Sequence, residues 1–127
     1  MGGKVVLVID DQQEMCKLVK ESLEIAGDYK VAMAFSGREG LKAAKSIKPH
    51  LILLDVMMPA MDGFEVLKLL KENSATKSIP VVMLTAVDNE TAKLKAMQLY
   101  DEDYLIKPAP IEKLRSTVDN VLRRRGL

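Results

Sequence analysis

The sequence predicts an α/β protein in which a parallel β-sheet carries helices on both faces, a doubly wound arrangement. The first observation is a set of short, unbroken apolar runs, which are typical of strands buried on both sides of a parallel sheet. The second is that four of these runs end directly at polar residues. The third is that strands and stretches with helical spacing of apolar residues alternate five times, which favours parallel pairing and right-handed crossovers.

The central strand is predicted at residues 51–54, where four large apolar residues run into Asp55. A carboxylate is unfavourable inside such a strand, so we expect Asp55 at its carboxyl end. The second predicted strand has weaker alternation and is expected at an edge. The predicted strands are residues 4–9, 29–34, 51–55, 81–84 and 103–106, and the predicted helices are residues 12–26, 37–48, 63–72 and 89–99 with a fifth from Pro110 to the arginines at 123–125.

Local signals predict where two of these helices begin and end. Asp11 and Glu14 have the spacing of a capping box, as do Ser36 and Glu39. Pro49 is expected to end the second helix, because the residue before a proline avoids helical backbone angles.

Composition limits the function classes. The chain of 127 residues suits one domain, residues 1–127 with a core at about 4–124, and a net charge of +1 predicts neither a nucleic-acid partner nor a membrane surface. A single cysteine, Cys16, excludes an internal disulfide and fits a reducing compartment. The sequence has no apolar stretch near the length of about 20 residues that a membrane span needs. We expect a soluble, cytoplasmic, single-domain protein.

Polar side chains follow four of the predicted strands. Asp10 and Asp11 follow the first, Asp55 the third, Thr85 the fourth and Lys107 the fifth. Ligands of open α/β sheets bind outside the carboxyl ends of the strands, so these groups should meet at one edge. Two carboxylates about 5 Å apart repel by roughly 3 kcal/mol at an effective dielectric constant near 20, and a divalent cation relieves that cost.

This set of groups indicates phosphoryl chemistry with Mg²⁺. Magnesium prefers a few carboxylate oxygens and often shares its shell with a phosphate. Asp55 is the candidate nucleophile, because a carboxylate can form an acyl phosphate. The Lys107 ammonium would neutralise the charge of the transferred group, and the Thr85 hydroxyl would donate a hydrogen bond to it.

The same residues resemble the receiver domain of two-component response regulators, in a CheY-like, stand-alone form. The resemblance extends from about Val5 to Leu122. It rests on Asp10-Asp11, on Asp55 within Leu-Asp-Val-Met-Met-Pro, on Thr85-Ala86, and on Tyr104-Leu-Ile-Lys107-Pro108.

The resemblance implies a flavodoxin-like sheet of strand order 2-1-3-4-5. It also implies that Asp55 accepts a phosphoryl group from a histidine kinase, a phosphotransfer protein or a small donor. Magnesium, with Mn²⁺ as a substitute, would be bound by Asp11, Asp55 and the backbone carbonyl of Met57, with Asp10 in support.

Further roles follow from the same resemblance. The backbone of Ala86 would bind the phosphoryl group together with Thr85 and Lys107, and the Lys107–Pro108 peptide would be cis. Thr85 and Tyr104 match a switch pair, although Tyr104 could instead be a core aromatic residue. The altered face would comprise the fourth helix, fifth strand and fifth helix, where a downstream protein binds, and the first helix would dock the kinase. The protein would be a monomer, or a dimer when phosphorylated.

Two stretches depart from the receiver pattern. Small residues commonly precede the fifth strand, whereas residues 100–102 here are Tyr-Asp-Glu, a bulkier and more acidic turn. Phe often follows Lys-Pro, whereas Ala109 stands here. In addition, neither Met57 nor Val87, which match positions that flank the phosphoryl group, can hydrogen-bond a water, so we expect a slow self-dephosphorylation.

Three other functions compete. A hydrolase of the haloacid dehalogenase type would need a second acid where Met57 stands. A flavin or nucleotide binder would need backbone donors in a Gly/Ser/Thr loop where Asp10 and Asp11 stand. A receiver-like interaction module that signals without phosphorylation would not need the complete polar set. The sequence therefore favours a phosphoryl-accepting switch rather than a metabolic enzyme.

Overall fold

A computed structural model of the chain describes residues 3–25, 27–85, 102–107 and 109–126. The predicted helix at 89–99 lies outside the described residues. The strands are β1 (Lys4–Ile9), β2 (Tyr29–Ala34), β3 (Leu51–Asp55), β4 (Val81–Thr85) and β5 (Asp103–Ile106). The described helices are α1 (Gln13–Glu24), α2 (Gly37–Ile47), α3 (Gly63–Glu72) and a C-terminal helix (Ile111–Arg124).

The five strands form one parallel sheet of order β2-β1-β3-β4-β5, which confirms the predicted flavodoxin-like fold. β2 is an edge strand, as its weaker pattern predicted. The register pairs Ile9 with Leu54, and Asp55 with Leu84. The strands therefore end side by side, and the residues that follow them emerge at the same edge of the sheet.

The sheet separates two apolar cores. Alternate residues of each strand point to opposite faces, so strands buried on both sides contribute to both cores. Residues 51–54 are fully buried, which explains why this run is apolar without alternation. The core on one face contains Val8, Leu53, Leu23 of α1 and Val118 of the C-terminal helix, and the other contains Leu7, Leu54, Ala44 of α2 and Leu67 of α3.

The capping box of α2 is confirmed. The Oγ of Ser36 accepts a hydrogen bond from the Glu39 N–H at 3.1 Å, and Glu39 Oε1 accepts one from the Phe35 N–H at 3.1 Å. These contacts satisfy two backbone donors at the start of the helix, so the entry of the chain from β2 into α2 is well defined.

The predicted cap of α1 by Asp11 is wrong. Gln12 is the residue before the helix, and its N–H donates to Oδ1 of Asp10 at 3.0 Å. Because the buried Asp10 carboxylate satisfies this donor, the exposed Asp11 carboxylate is not used in capping and extends towards the other acids at this edge.

The acidic turn before β5 has a structural role. It lies at the end of the sheet where the strands begin, opposite the end that carries the polar residues. The Glu102 side chain is only 2% exposed and forms ion pairs with Lys71 of α3 and with Arg125. It also accepts a hydrogen bond from the Val81 N–H at 3.0 Å, while Arg124 pairs with Asp103 at 2.5 Å. Glu102 therefore joins α3, the start of β4 and the end of the C-terminal helix.

Within the described ranges, no helix combines the length and the apolar character required to cross a membrane.

Candidate functional site

Three carboxylates converge where β1 and β3 end. Asp10 is fully buried and its N–H donates to the Ala34 carbonyl oxygen at 3.0 Å, which extends the pairing of β1 with β2. Asp55 is the last residue of β3 and is 4% exposed, whereas Asp11 is exposed. One carboxylate oxygen from each of the three acids lies within 4.8 Å of the others. The predicted convergence of these acids is therefore present.

The Lys107 ammonium lies against two of these acids. Its Nζ is 3.0 Å from Oδ2 of Asp10 and 2.8 Å from Oδ1 of Asp55. The backbone positions this side chain, because the Lys107 N–H donates to the Thr85 carbonyl oxygen at 2.7 Å. Thr85 itself is the last residue of β4 and is 4% exposed. The structure thus brings Asp10, Asp11, Asp55, Thr85 and Lys107 to one edge.

Burial has the largest effect on the pKa of Asp55, and the Lys107 ammonium has the next largest. Burial raises the pKa of this carboxyl above its ordinary value, and the charges of Asp10 and Asp11 act in the same direction, while Lys107 opposes them. Burial alone would lower the pKa of Lys107, but its hydrogen bonds to Asp55 and Asp10 raise that pKa above the ordinary value. Lys107 therefore stays charged, and its positive charge stabilises the ionised form of Asp55.

The acid cluster has the chemistry of a site for a hard divalent cation. Two carboxylates at 4 Å repel by about 4 kcal/mol at an effective dielectric constant of 20, and Lys107 supplies one positive charge against three negative ones. The exposed Asp11 keeps one side of the cluster open to water, and Mg²⁺ retains several waters when bound to one or two carboxylates. The residues present fit such an ion.

The loop after β3 is held close to Asp55 by a glycine. The Gly63 N–H donates to the Val56 carbonyl oxygen at 2.8 Å, and the Val56 N–H donates to the Leu84 carbonyl oxygen at 3.0 Å. A Cβ added at Gly63 would lie 2.3 Å from the Asp55 carbonyl oxygen, which is too close for any other residue. Within this loop Ala60 has a φ of 67°, a left-handed conformation that costs a non-glycine residue about 1 kcal/mol or more. The conformation of the loop that carries Met57 is therefore fixed by backbone hydrogen bonds and by the close approach of Gly63 to Asp55.

Some predicted site residues are exposed or lie outside the described part of the chain. Ala86 and Pro108 lie outside the described residues, so their predicted roles stay predictions. Tyr104 is 44% exposed on β5 and is not a core aromatic residue. Met57, two residues after Asp55, is 71% exposed.

Sequence reasoning missed one contact beneath the site. Cys16 is fully buried, and its thiol donates to the Asp10 carbonyl oxygen at 3.3 Å. Burial, followed by the charge of Asp10, raises the pKa of this thiol to about 11, so it is protonated at neutral pH. Cys16 falls within the predicted first helix, but helical spacing does not show which oxygen its thiol contacts.

Comparison with known proteins decides the family. Residues 6–119 match the response regulator receiver domain. The chain belongs to the response regulator receiver family. Receiver domains are the phosphoryl-accepting components of two-component systems, so the predicted family and function class are confirmed.

Transcriptional regulators are among the relatives of this receiver domain. The alkaline phosphatase synthesis transcriptional regulatory protein PhoP of Bacillus subtilis is 40% identical over 122 residues, which cover 96% of this chain and 50% of PhoP. The phosphate regulon transcriptional regulatory protein PhoB of Pseudomonas aeruginosa is 35% identical over 126 residues, covering 99% of this chain and 55% of PhoB. The chain thus spans about half the length of these regulators.

The fold is also similar to a solved structure of a chemotaxis protein. CheY4 of Vibrio cholerae superposes with a TM-score of 0.86 at 33% sequence identity, covering 94% of this chain and 99% of CheY4. The receiver domain therefore has the CheY-like arrangement of strands and helices.

The position of Lys107 leads to a prediction for Lys107→Met. Loss of the ammonium leaves the buried Asp10 carboxylate without its cationic partner and should lower the free energy of unfolding by about 3 kcal/mol without Mg²⁺. The site also becomes more negative, so the apparent affinity for Mg²⁺, measured by thermal shift against MgCl₂, should rise about tenfold. Lys113→Met removes the same charge from an exposed position on the C-terminal helix and should change neither value. A variant that binds Mg²⁺ no more tightly than the wild type would contradict the proximity of Lys107 to the cation site.

Proposed function

We propose that Asp55 is the residue of this receiver domain that accepts the phosphoryl group. The observation that supports this assignment is the position of the Asp55 carboxylate, beside Asp10 and Asp11 and 2.8 Å from the Lys107 ammonium. A nucleophile at this position has neighbouring acids that can hold a cation, and it contacts a fixed positive charge. Both charges favour a transition state in which negative charge spreads over the phosphoryl oxygens.

The transfer step follows from this geometry. An Asp55 carboxylate oxygen attacks phosphorus, and the bond from phosphorus to the donor breaks, namely the P–N bond of a phosphohistidine or the P–O bond of acetyl phosphate. The product is an acyl phosphate on Asp55, and the electron pair of the broken bond leaves with the donor. Lys107 then pairs with a phosphoryl oxygen in place of the Asp55 carboxylate oxygen that it contacts before the reaction.

The acid cluster would hold a magnesium ion, for which Mn²⁺ could substitute. Asp11, Asp55 and the backbone carbonyl of Met57 would provide its protein ligands, and Asp10 would support it. When bound, the ion neutralises charge on the carboxylates and the phosphoryl oxygens. The chain's own part is to hold the carboxylates together, through the adjacent ends of β1 and β3 and through the Lys107 ammonium that contacts Asp10 and Asp55.

The signal would pass from the phosphoryl group to the exposed face of β5. Thr85 and the backbone N–H of Ala86 would donate hydrogen bonds to the phosphoryl oxygens and draw the end of β4 towards Asp55. Tyr104, now 44% exposed, would turn inward as Thr85 moves. Because the Lys107 N–H is bonded to the Thr85 carbonyl oxygen, β4 and β5 should move together and shift a two-state equilibrium.

The partners are proteins of a signalling pathway. A histidine kinase or phosphotransfer protein would supply the phosphoryl group, and a downstream protein would bind the face formed by the predicted helix at 89–99, β5 and the C-terminal helix. The relatives named as transcriptional regulators support a role in controlling gene expression. The exposed Met57 at the position where a hydrolase of the dehalogenase type needs a second acid supports a switch rather than a metabolic enzyme.

Incubation with acetyl phosphate and MgCl₂, followed by intact mass spectrometry, tests the acceptor. The wild type should gain one phosphoryl group and Asp55→Asn none. Asp28→Asn, at an exposed acid before β2, is the matched control and should be modified like the wild type. A phosphoryl group on Asp55→Asn would contradict the assignment, and an unmodified wild type would favour a module that signals without phosphorylation.

The exposed Met57 leads to a prediction about the lifetime of the acyl phosphate. Hydrolysis needs a positioned water, and a thioether is a poor hydrogen-bonding group beside the site. Met57→Gln should therefore lose label from the isolated phosphoprotein at least several-fold faster than the wild type, whereas Met57→Leu should match the wild type. A wild-type lifetime of seconds, or equal rates for Met57→Gln and Met57→Leu, would contradict this prediction.

A further inference from the structure

Met57 is the exposed methionine of the described part of the chain. Its side chain is 71% exposed, whereas Met58 and Met83 are 8% and 1% exposed and the other described methionines are half-buried. An oxidant must reach a thioether sulfur in order to convert it to a sulfoxide. Among the described methionines, Met57 is therefore the one most open to oxidation.

The thiol of the chain does not compete for the same oxidant. Cys16 is the single cysteine and is fully buried, and burial raises the pKa of its thiol to about 11. Peroxides attack the thiolate rather than the thiol, and they attack it where it is accessible. A peroxide in solution therefore meets the Met57 thioether before it meets the Cys16 sulfur.

The course of the chain places the Met57 side chain on the same side as the Asp55 carboxylate. Leu54, Val56 and Met58 all pack into the core that contains residues of α2 and α3. The side-chain alternation of β3 thus continues through Met58, and the side chains of residues 55 and 57 leave the chain on the opposite side. The thioether therefore follows the candidate acceptor directly on its own side of the chain.

The backbone that carries Met57 is fixed by its neighbours. The Val56 N–H donates to the Leu84 carbonyl oxygen at 3.0 Å, and the Val56 carbonyl oxygen accepts from the Gly63 N–H at 2.8 Å. The side chains on either side, Val56 and Met58, are buried. A change in the chemistry of the Met57 side chain therefore acts at a defined position relative to Asp55.

We propose that Met57 is a site of reversible oxidation by peroxides, and that its sulfoxide shortens the lifetime of the acyl phosphate on Asp55. The inference rests on the proposed function of Asp55 as the acceptor. In the oxidation, a lone pair of the Met57 sulfur attacks one oxygen of hydrogen peroxide and the O–O bond breaks. The sulfur is oxidised to the sulfoxide, the peroxide is reduced, and its second oxygen leaves as water after taking up the proton.

The sulfoxide supplies the polar group that the thioether lacks. A thioether sulfur is a weak acceptor, whereas oxidation makes the side chain polar, with an oxygen that accepts hydrogen bonds. This oxygen can orient a water towards the phosphoryl group on Asp55. The water oxygen then bonds to phosphorus, the bond from phosphorus to the Asp55 oxygen breaks, and the carboxylate, inorganic phosphate and a proton are released.

Peptide mapping after brief exposure to dilute hydrogen peroxide tests the oxidation site. Mass spectrometry of the peptides measures the sulfoxide at each of the eight methionines separately. Met57 should be oxidised several-fold faster than the buried Met58 and Met83. If Met57 is oxidised no faster than these two residues, the oxidation site is overturned.

The lifetime of the acyl phosphate tests the consequence. Protein treated with peroxide, freed of it and phosphorylated with labelled acetyl phosphate and MgCl₂ should lose label several-fold faster than untreated protein. Methionine sulfoxide reductase with dithiothreitol should restore the slower rate, which general damage to the fold would not allow. The rate of Met57→Leu should not respond to peroxide, whereas Met61→Leu, at a half-buried methionine of the same loop, should respond like the wild type.

The outcomes separate this inference from the assignment of the acceptor. A peroxide effect that persists in Met57→Leu, or an unchanged rate when Met57 is fully oxidised, would overturn the inference and leave Asp55 as the acceptor. A wild type that takes up no label before oxidation would contradict the acceptor assignment and the inference with it.

Discussion

The Lys107 ammonium contacts the buried carboxylates of Asp10 and Asp55, and this pairing stabilises the cluster of three acids at the functional site. Parallel strands that end side by side place carboxylate oxygens of three acids within 4.8 Å of each other. Without a nearby positive charge, the repulsion between these acids would drive them apart. Lys107 supplies the opposing charge from the end of β5. The backbone bond from Lys107 to Thr85 then connects this charge to the end of β4.

The sheet itself could be predicted because its pattern is simple. Strands that are buried on both faces are apolar at every position, and the polar residue after each strand marks the edge where ligands bind. Residues 51–54 and Asp55 show both features in five residues, and the structure has the expected order and convergence. Burial explains both features: it requires apolar residues throughout the strand, and it places the first carboxylate where the strand ends.

Details that depend on side-chain partners were harder to predict. Asp11 has the spacing of a capping residue, but the neighbouring Asp10 carboxylate reaches the Gln12 N–H instead. Glu102 was expected to make the turn before β5 bulkier and more acidic, whereas its side chain is buried against Lys71 of α3. Periodicity shows which face of an element a residue occupies. It does not show which partner across the fold will satisfy its charge.

Charged residues have different roles at the two ends of the strands. At one edge Glu102 pairs with Lys71 and Arg125 and accepts a backbone hydrogen bond, so its charge is balanced and serves stability. At the other edge the acids outnumber the nearby cation, so charge remains for a ligand to neutralise. The excess of negative charge at Asp10, Asp11 and Asp55 is what distinguishes a site from a structural ion pair.

Diffraction from crystals soaked in Mn²⁺ would show whether the acid cluster holds a divalent cation, because the anomalous signal locates the ion without reference to the protein. We expect one strong peak within coordination distance of Asp11 and Asp55, which disappears in crystals of Asp11→Asn. A peak remote from these carboxylates, or an acid cluster without a peak at saturating Mn²⁺, would contradict this expectation.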